Sequence, residues 1–193
     1  GIPFYSADTS SIYTTDVSGT DDTATGNSAY GYQAMDAITT GDSNSAFGHD
    51  ALGANTTGAN NTAVGKSAML LNTTGAENVA LGFAALDANT TGNQNVALGR
   101  SALTANTTAS DNIAVGYGAM DSNTTGTRNI AIGSAAYDHS DTENDNMAIG
   151  YNAMTENTAG GTYNIAIGNY ALDALTSGDY NIVVGGGAGT AIN

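Results

Sequence analysis

Apolar and polar positions repeat along this chain every 17 residues, and each repeat opens with a short alternating run. The run is an Asn, an apolar or hydroxyl residue, Ala, a large apolar residue and then Gly, as in the segment 78–82. Alternation with period two, with Val, Ile or Leu at the outer places, predicts a short β-strand. In most copies Ala and then Leu or Met come three and four residues after the Gly, and an Asn-Thr-Thr-Gly turn follows.

The repeat occurs ten times, with a single one-residue slip between Gly150 and Gly168. Copies are numbered here from their Asn as position 1, which makes the Gly position 5. A fixed short period means that each copy is one unit that buries its apolar face against its neighbours, so the chain is predicted to be a solenoid. The position 1 residues are Asn27, Asn44, Asn61, Asn78, Asn95, Asn112, Asn129, Asn146, Asn164 and Asn181.

A copy of 17 residues is too short to contain a helix, since strand-plus-helix repeats take about 20 residues or more. We expect two short strands per copy, joined by tight turns at the Asn-Thr-Thr-Gly segments. The predicted fold class is all-β, a parallel β-solenoid (β-roll) of about ten 17-residue coils over residues 27–193, with the last coil incomplete. At about 4.8 Å per coil the rod would be about 50 Å long. Residues 1–26 do not fit the repeat and are predicted to form an N-terminal cap, neck or junction segment.

Asn occupies position 1 in every copy. Identical amides stacked at strand spacing can hydrogen-bond along the rod axis, so we interpret this column as a structural ladder. The alternative is that the Asn only opens a turn. Gly at the end of each strand indicates a positive φ or a close approach of two backbones.

Position 4 carries a larger apolar residue than the Ala of position 3, and both cannot point into one thin coil. If position 4 faces outward, it forms a long apolar stripe that a soluble protein hides against another chain. We therefore expect parallel solenoids to pack, side by side or intertwined, as a homotrimer or a dimer. The interchain candidates are Val64, Leu81, Leu98, Val115, Ile132, Ile149 and Ile167.

The amino-acid composition excludes some classes of function and disfavours others. Three basic residues stand against 18 acidic ones, for a formal net charge of −15. Nucleic-acid binding needs many Lys and Arg on one face, so that class is excluded and anionic membrane surfaces are disfavoured. No stretch reaches the roughly 20 apolar residues that span a bilayer, so membrane insertion is not expected. The chain has no Cys, which is compatible with an extracellular fibre stabilised by ladders instead of disulfides.

The start of the chain has neither an initiator Met nor a visible signal peptide, and the last copy is incomplete. The sequence is therefore interpreted as a processed piece, or a fragment, of something longer.

The copy that begins at Asn61, Asn-Thr-Ala-Val-Gly-Lys-Ser-Ala-Met-Leu-Leu-Asn-Thr-Thr-Gly-Ala-Glu, resembles the repeats of bacteriophage tail-fibre-like proteins and of large bacterial surface proteins. Its Asn-x-Ala-x-Gly core is similar to the left-handed parallel β-roll heads of trimeric autotransporter adhesins, whose repeats are typically shorter. The resemblance covers residues 27–189. It implies a homotrimeric β-solenoid shaft or head on a virion or cell surface, with adhesion as its role.

Catalytic and metal chemistry find little support in the sequence. His49 and His139 are the only imidazoles and are expected to be solvated, because a hydrolytic triad needs a buried orienting carboxylate and an oxyanion hole. The Asp pair at 21–22, the acidic run 141–145 and an Asp column could bind calcium, but a solvated acidic face is the favoured reading, since the calcium-binding nonapeptide is missing. The Asp column is Asp36, Asp87, Asp121 and Asp173. No catalytic residue, metal or cofactor is predicted.

Two exposed columns could carry sugars or contact them. Position 6 varies from copy to copy and holds aromatic and basic side chains, so it could stack on a glycan or simply be an ordinary exposed face. The position 6 aromatics considered are Tyr32, Phe83, Tyr117 and Tyr151. Asn-Thr-Thr at the turn matches the glycosylation acceptor pattern, with plain turn chemistry as the simpler reading. The candidate acceptors are Asn55, Asn72, Asn89, Asn106 and Asn123.

The function predicted from these patterns is a structural and adhesive segment of an extracellular fibre, either a phage tail fibre or a microbial surface filament, without catalysis. Its partners would be further copies of the chain and a cell-surface glycan or receptor. An alternative is a self-assembling filament subunit with glycosylated turns, in which residues 1–26 of one subunit dock on the last coil of the next. Less favoured are an ice-binding solenoid, since adjacent Thr residues do not share a strand face, and a polysaccharide-cleaving tailspike, since paired acidic groups are missing.

Overall fold

A computed structural model of the chain describes residues 11–13, 23–156 and 160–190. Within these ranges the regular elements are eleven short β-strands that follow one another at the repeat spacing. They are β1 (Ile12–Tyr13), β2 (Ser28–Tyr30), β3 (Ser45–Phe47), β4 (Thr62–Val64), β5 (Val79–Leu81), β6 (Val96–Leu98), β7 (Ile113–Val115), β8 (Ile130–Ile132), β9 (Met147–Ile149), β10 (Ile165–Ile167) and β11 (Ile182–Val184).

All eleven strands form one parallel sheet, and their order in the sheet is their order in the chain. From β2 to β11, each residue is paired with the residue at the same position of the next copy; Ala80, for example, lies opposite Ala97. One strand per coil, stacked in register, is a parallel β-solenoid. The predicted all-β solenoid with a repeat of 17 residues is therefore confirmed.

The sheet starts before the first full copy. Ile12 and Tyr13 pair with Ser28 and Ala29 in the same parallel register, and the Tyr13 side chain is buried. Ser11 takes the place of a position 1 Asn, because its hydroxyl accepts a hydrogen bond from the backbone N–H of Asn27 at 3.0 Å. The segment predicted as a cap thus contributes a strand of its own, and its other residues, 1–10 and 14–22, lie outside the described residues.

Each coil contains one strand of three residues, so the prediction of two strands per copy is wrong. The Ala and Leu or Met that follow the strand are neighbours that are both fully buried, as with Ala68 and Met69. Adjacent residues of a strand point to opposite sides, whereas a left-handed residue between turns lets both point inward. Position 9 has φ near +52° at Leu103, and positions 7 and 17 are also left-handed, as at Ser101 and Asp111.

The interior is a set of stacked columns. The strands alternate with their middle residue buried and their outer residues exposed or half-buried, as in β5. The Ala column of position 3, the Ala column of position 8 and the Leu or Met column of position 9 form the apolar core. A coil of this size accepts only small side chains at two of these three columns, which is why Ala recurs there.

The position 5 glycines are required by both conformation and space. From Gly31 to Gly168 their φ angles lie between +132° and +147°. A Cβ at Gly99 would lie 2.3 Å from the carbonyl oxygen of Gly116 in the next coil, closer than any real contact. Both suggested reasons for this glycine, a positive φ and a close backbone approach, are therefore met.

The extra residue of the eighth copy is absorbed in a turn. Asn164 still donates its backbone N–H to the side chain of Asn146, 18 residues earlier. The backbone N–H of Glu156, at position 11, still donates to the carbonyl of Asp173, at position 10 of the next copy, as in the other coils. The side-chain NH2 of Asn146 donates to the carbonyl of Gly161, which is 15 residues later, whereas in other copies the acceptor is 14 residues later. The insertion therefore lies between residues 156 and 161, and the sheet is unaffected.

Candidate functional site

The position 1 Asn side chains form a continuous ladder inside the rod. The side-chain oxygen of Asn78 accepts the backbone N–H of Asn95 at 2.9 Å, and the side-chain oxygen of Asn95 accepts the backbone N–H of Asn112 at 3.1 Å. The same bond, between 2.8 and 3.1 Å, links every consecutive pair from Asn27 to Asn181. The predicted asparagine ladder is confirmed.

The bonding within this first ladder differs from simple amide-to-amide stacking. The side-chain NH2 of Asn95 crosses its own coil and donates to the carbonyl of Ala109 at position 15, at 2.8 Å. Each Asn thus binds the next coil through its oxygen and clamps its own coil shut through its nitrogen. Direct contacts between side-chain amides occur at only three steps, for example from Asn95 to Asn78 at 3.2 Å.

A second ladder runs beside the first, and the sequence reading missed it. The NH2 group of Asn89 donates to the side-chain oxygen of Asn72 at 2.8 Å and also to the carbonyl of Gly92 at 3.0 Å. The same pattern joins the position 12 residues of five consecutive copies, which are Asn55, Asn72, Asn89, Asn106 and Asn123. Both ladders meet at the position 15 carbonyl: Gly92 accepts from Asn78 as well as from Asn89.

The glycosylation hypothesis placed these five Asn residues at an exposed turn, and that placement is wrong. All five side chains are fully buried, with 0% exposure. An acceptor nitrogen must be reachable by the transferring enzyme, yet the NH2 group of each Asn donates inside the rod, with two bonds from all except Asn55, which donates one to the carbonyl of Gly58. In the folded chain the side chains of Asn55, Asn72, Asn89, Asn106 and Asn123 are therefore structural and out of reach of a transferring enzyme.

The second ladder ends where the side chains of its column change. Position 12 holds Ile38 before the Asn run and Ser140 after it, all buried. The Ser140 hydroxyl donates to the carbonyl of Tyr137 at 3.2 Å instead of continuing the ladder. The side-chain oxygen of Asn123 is left buried without a hydrogen-bond partner. Tyr137, the largest residue of the position 9 column, occupies the interior of this coil and accepts a bond from the Asn146 amide.

Threonine at position 13 adds a third line of bonds along the axis. The hydroxyl of Thr73 donates to the backbone carbonyl of Thr90 in the next coil at 2.9 Å. Only the second Thr of each pair, such as Thr74, is exposed. The exposed threonines therefore form a single column at a turn, while the first threonine of each pair bonds to the next coil.

The outward face of the sheet is formed by positions 2 and 4. Leu81 is 50% exposed and Ile132 is 39% exposed, while Leu98 is half-buried. No outward residue of the eleven strands is charged. From β5 to β11 every one is apolar: Val79, Leu81, Val96, Leu98, Ile113, Val115, Ile130, Ile132, Met147, Ile149, Ile165, Ile167, Ile182 and Val184. The interchain candidates Val64, Leu81, Leu98, Val115, Ile132, Ile149 and Ile167 are one of the two columns of this face.

The same face is more polar on one side near its N-terminal end. Position 2 of β2, β3 and β4 is Ser28, Ser45 and Thr62, while position 4 is aromatic in β2 and β3. The rings of Tyr30 and Phe47 stack at 5.0 Å, and together with Ile12 they line a shallow groove. Rings stacked at the coil spacing follow from the register of the sheet.

Position 6 forms an exposed column of rings and cations just beyond the glycines, here called the position 6 stripe. It begins with Tyr32, which lies 5.3 Å from the His49 ring. The Arg100 guanidinium lies between two rings, 5.6 Å from the centre of Phe83 and 5.7 Å from that of Tyr117. Tyr151, further along, contacts Tyr170 edge-on. The suggested glycan-contact residues Tyr32, Phe83, Tyr117 and Tyr151 thus lie on one exposed column.

The three basic residues of the chain have different surroundings. Arg128 forms a two-pronged ion pair with Asp145, at 2.7 and 2.8 Å. The hydrogen bond from Arg128 lowers the pKa of the Asp145 carboxyl. Neither Lys66 nor Arg100 forms an ion pair with any carboxylate in the described part of the chain.

In the described part of the chain, the histidines and the Asp column lie in separate surroundings and do not gather into one cluster. His49 pairs with Asp50 and His139 with Glu156, and both imidazoles are about half-exposed. Both imidazoles thus belong to solvated surface pairs. Among the described residues, no three His, Asp or Glu side chains come together in a group that could hold a metal ion.

Two carboxyls of position 10 are partly buried, which alters their ionisation. Burial raises the pKa of the Asp87 carboxyl, and backbone N–H groups oppose that rise. Burial also raises the pKa of Asp138, with the adjacent His139 opposing the rise and Asp121 adding to it. One oxygen of Asp138 is buried without a hydrogen-bond partner. The Asp column is therefore less solvated than its sequence pattern indicates.

The described part of the chain contains no helix with the length and hydropathy needed to cross a bilayer. No protein-family model, no curated protein and no solved structure matches the chain. The resemblance to tail-fibre-like and adhesin repeats therefore stays a prediction, based on the repeat residues alone.

Proposed function

We propose that this chain is a structural and adhesive segment of an extracellular fibre, working as a homotrimer whose solenoids pack through their outward sheet faces. The observation that carries the proposal is the face from β5 to β11, where all outward residues are apolar and uncharged. Seven coils at about 4.8 Å make this face about 30 Å long.

A stable interface needs a continuous apolar surface, and soluble proteins rarely leave one of this length exposed to water. The remaining surface of the rod is acidic, with a net charge of −15 for the chain. Self-repulsion between acidic surfaces keeps rods apart in every orientation except the one that joins the uncharged faces. Charge and hydrophobicity therefore favour the same contact.

Parallel packing about an axis along the rod brings the same residue of each chain together. A two-column face of regular spacing suits this arrangement, because every coil offers a similar pair of side chains. The buried ladders support a mechanical role, since each coil is bonded to the next by backbone, Asn and Thr groups together. The extracellular setting rests on the rod architecture and on the repeat resemblance.

The test is a pair of charge substitutions on the face. In the variant Leu98→Asp, Ile132→Asp, assembly would bury two unpaired carboxylates per chain, a penalty of several kcal/mol that should dissociate the oligomer. The matched control is Thr91→Asp, Thr125→Asp, which adds the same charge at exposed turns. Light scattering should report a smaller particle for the first variant and an unchanged one for the control. An unchanged mass for both, with circular dichroism reporting folded chains, would contradict the proposal.

A further inference from the structure

We infer that the part of the position 6 stripe from Lys66 to Tyr117 binds an acidic polysaccharide whose sugar rings carry carboxylates, laid lengthwise along the rod. The stripe is an exposed column separate from the outward sheet face, so this inference does not depend on the chains assembling through that face. It names the class of partner that an adhesive role requires.

Two cations of the stripe have no carboxylate partner in the described part of the chain. The chain carries 18 acidic residues and three basic ones, yet Lys66 and Arg100 stand in one column without an ion pair in the described structure. Positions 6 and 7 of the four copies from Asn61 to Arg128 contain no acidic residue at all. Cations kept clear of carboxylates on such an acidic rod are available to an anionic partner.

The rings are the second step. Phe83 and Tyr117 are 48% and 59% exposed, and they flank Arg100 on both sides. Arg128 is paired with a carboxylate, whereas the Arg100 guanidinium contacts the faces of these two rings instead. An exposed ring offers an apolar platform on which the C–H face of a pyranose can be buried, while the neighbouring cation meets its carboxylate.

The third step is the fixed spacing of the stripe. The backbone carbonyls of Lys66, Phe83 and Arg100 each accept an N–H from the next coil at 3.0 Å. This bonding fixes the spacing of the backbone that carries the stripe before any ligand arrives, which lowers the cost of binding. Lys66 and Arg100 are two coils apart, about 10 Å, with a ring between them. The pattern cation, ring, cation, ring therefore fits a polymer in which charged and uncharged sugars alternate.

Other partner classes fit less well. Duplex nucleic acid carries one negative charge per about 1.7 Å, so two free cations about 10 Å apart neutralise far less of its charge than of a polymer with a carboxylate on alternate sugars. A neutral glycan would use the rings but leave the two cations without a role. An acidic partner with apolar ring faces uses both kinds of side chain.

The experiment uses hyaluronate oligosaccharides, which carry a carboxylate on alternate sugars, and the same oligosaccharides after reduction of the carboxyl groups. Isothermal titration calorimetry with the unmodified chain should detect binding of the first and at least about tenfold weaker binding of the second, as expected for loss of charge-assisted contacts. The variant Lys66→Gln, Arg100→Gln should also weaken hyaluronate binding by about tenfold or more. The single variant Arg100→Gln should weaken binding as well, and Arg128→Gln is its matched control, because each removes one positive charge; Arg128→Gln should leave binding unchanged.

Three results would overturn the inference. One is the absence of hyaluronate binding to the unmodified chain. Another is equal binding of the reduced oligosaccharide, which would identify a neutral-glycan surface. The third is an equal loss of binding in Arg128→Gln, which would identify unspecific charge attraction. Phe83→Leu supplies a further readout, since it keeps an apolar side chain but removes the ring, and it should weaken binding while the melting temperature stays the same.

Discussion

At the scale of single residues, the coil depends on conformations that most side chains avoid. Left-handed φ values recur at positions 7, 9 and 17, and they include bulky residues such as Leu103 and Met120. Each costs about 1–2 kcal/mol for an ordinary residue. They persist because the bonds between coils and the buried columns hold them in place, and because the tightest place in the coil is given to Gly.

Substituting one of these glycines tests that account. Gly99→Ala combines φ +141° with a Cβ 2.3 Å from the Gly116 carbonyl oxygen, so we expect a loss of about 2–4 kcal/mol in the free energy of unfolding. Gly53→Ala is the control, because its Cβ would meet only ordinary contacts of 3.4 Å or more. Urea denaturation of both variants measures the difference. Equal midpoints would contradict the close backbone approach.

At the scale of the coil and its ladders, side-chain amides provide the stabilisation that disulfides or a thick apolar core provide in other small folds. Asn95 satisfies the backbone N–H of Asn112 and the carbonyl of Ala109 inside the rod. The second ladder adds donors to the same position 15 carbonyls. A coil too thin for a large apolar core thus gains order from buried polar groups that are nearly all paired.

The variant Asn95→Ala, Asn112→Ala tests the first ladder. It leaves unpaired the backbone N–H groups of residues 112 and 129, and it removes one of the two donors to each of the position 15 carbonyls of Ala109 and Gly126. Each buried unpaired group costs about 1–3 kcal/mol, so the melting temperature should fall sharply. Thr91→Ala, Thr108→Ala is the control, since both side chains are exposed at turns. If both double variants melt together, the ladder does not stabilise the rod.

The strand, the register and the outward face could be predicted from the sequence, whereas the second half of the coil could not. Period-two alternation in 78–82 reports directly which side each residue faces. Asn72-Thr73-Thr74-Gly75, by contrast, has the composition of an exposed turn, and nothing in it reports that the Asn side chain is buried. The recurrence of Asn at position 12 in five consecutive copies was the available signal, since an exposed turn does not need one identical residue.

The adjacent Ala and Leu or Met posed a second difficulty. Ala85 and Leu86 look like neighbouring residues of a strand, and only the left-handed φ of +55° at Leu86 lets both face the core. Sequence rules assign such conformations to Gly and Asn, so a bulky apolar residue gives no warning. For the position 6 stripe, the exposed column could be predicted, but the sandwich of Arg100 between two rings required the coil spacing.

At the scale of the whole molecule, charge opposes the fold at neutral pH. The net charge is −15, and the partly buried Asp87 and Asp138 have raised pKa values in the folded chain. Their protonated forms are therefore favoured by folding. Stability from these two groups is complete below the ordinary Asp pKa of 3.8 and is lost as the pH rises through their higher folded values.

Mild acidification should therefore raise the melting temperature as the pH falls from 7 towards about 4.5, because the two carboxyls take up protons and self-repulsion falls. The exposed Asp145 acts in the opposite direction, since its pKa is lowered by Arg128, but its contribution is small at the surface. Circular dichroism melts at several pH values measure the effect. Asp87→Asn, Asp138→Asn should melt higher at pH 7 and gain less on acidification. A stability that falls steadily over this range would contradict the account.

The most direct test of the central claim, that rods associate through the outward sheet face, uses the absence of cysteine from the chain. Leu98→Cys places a single thiol on the face, and Thr108→Cys places one at an exposed turn. In a parallel symmetric assembly, the residue 98 thiols of neighbouring chains meet and form a disulfide. Mild oxidation followed by non-reducing electrophoresis should give covalent dimers with Leu98→Cys and monomers with Thr108→Cys. Monomers with Leu98→Cys, or equal yields from both variants, would contradict the claim.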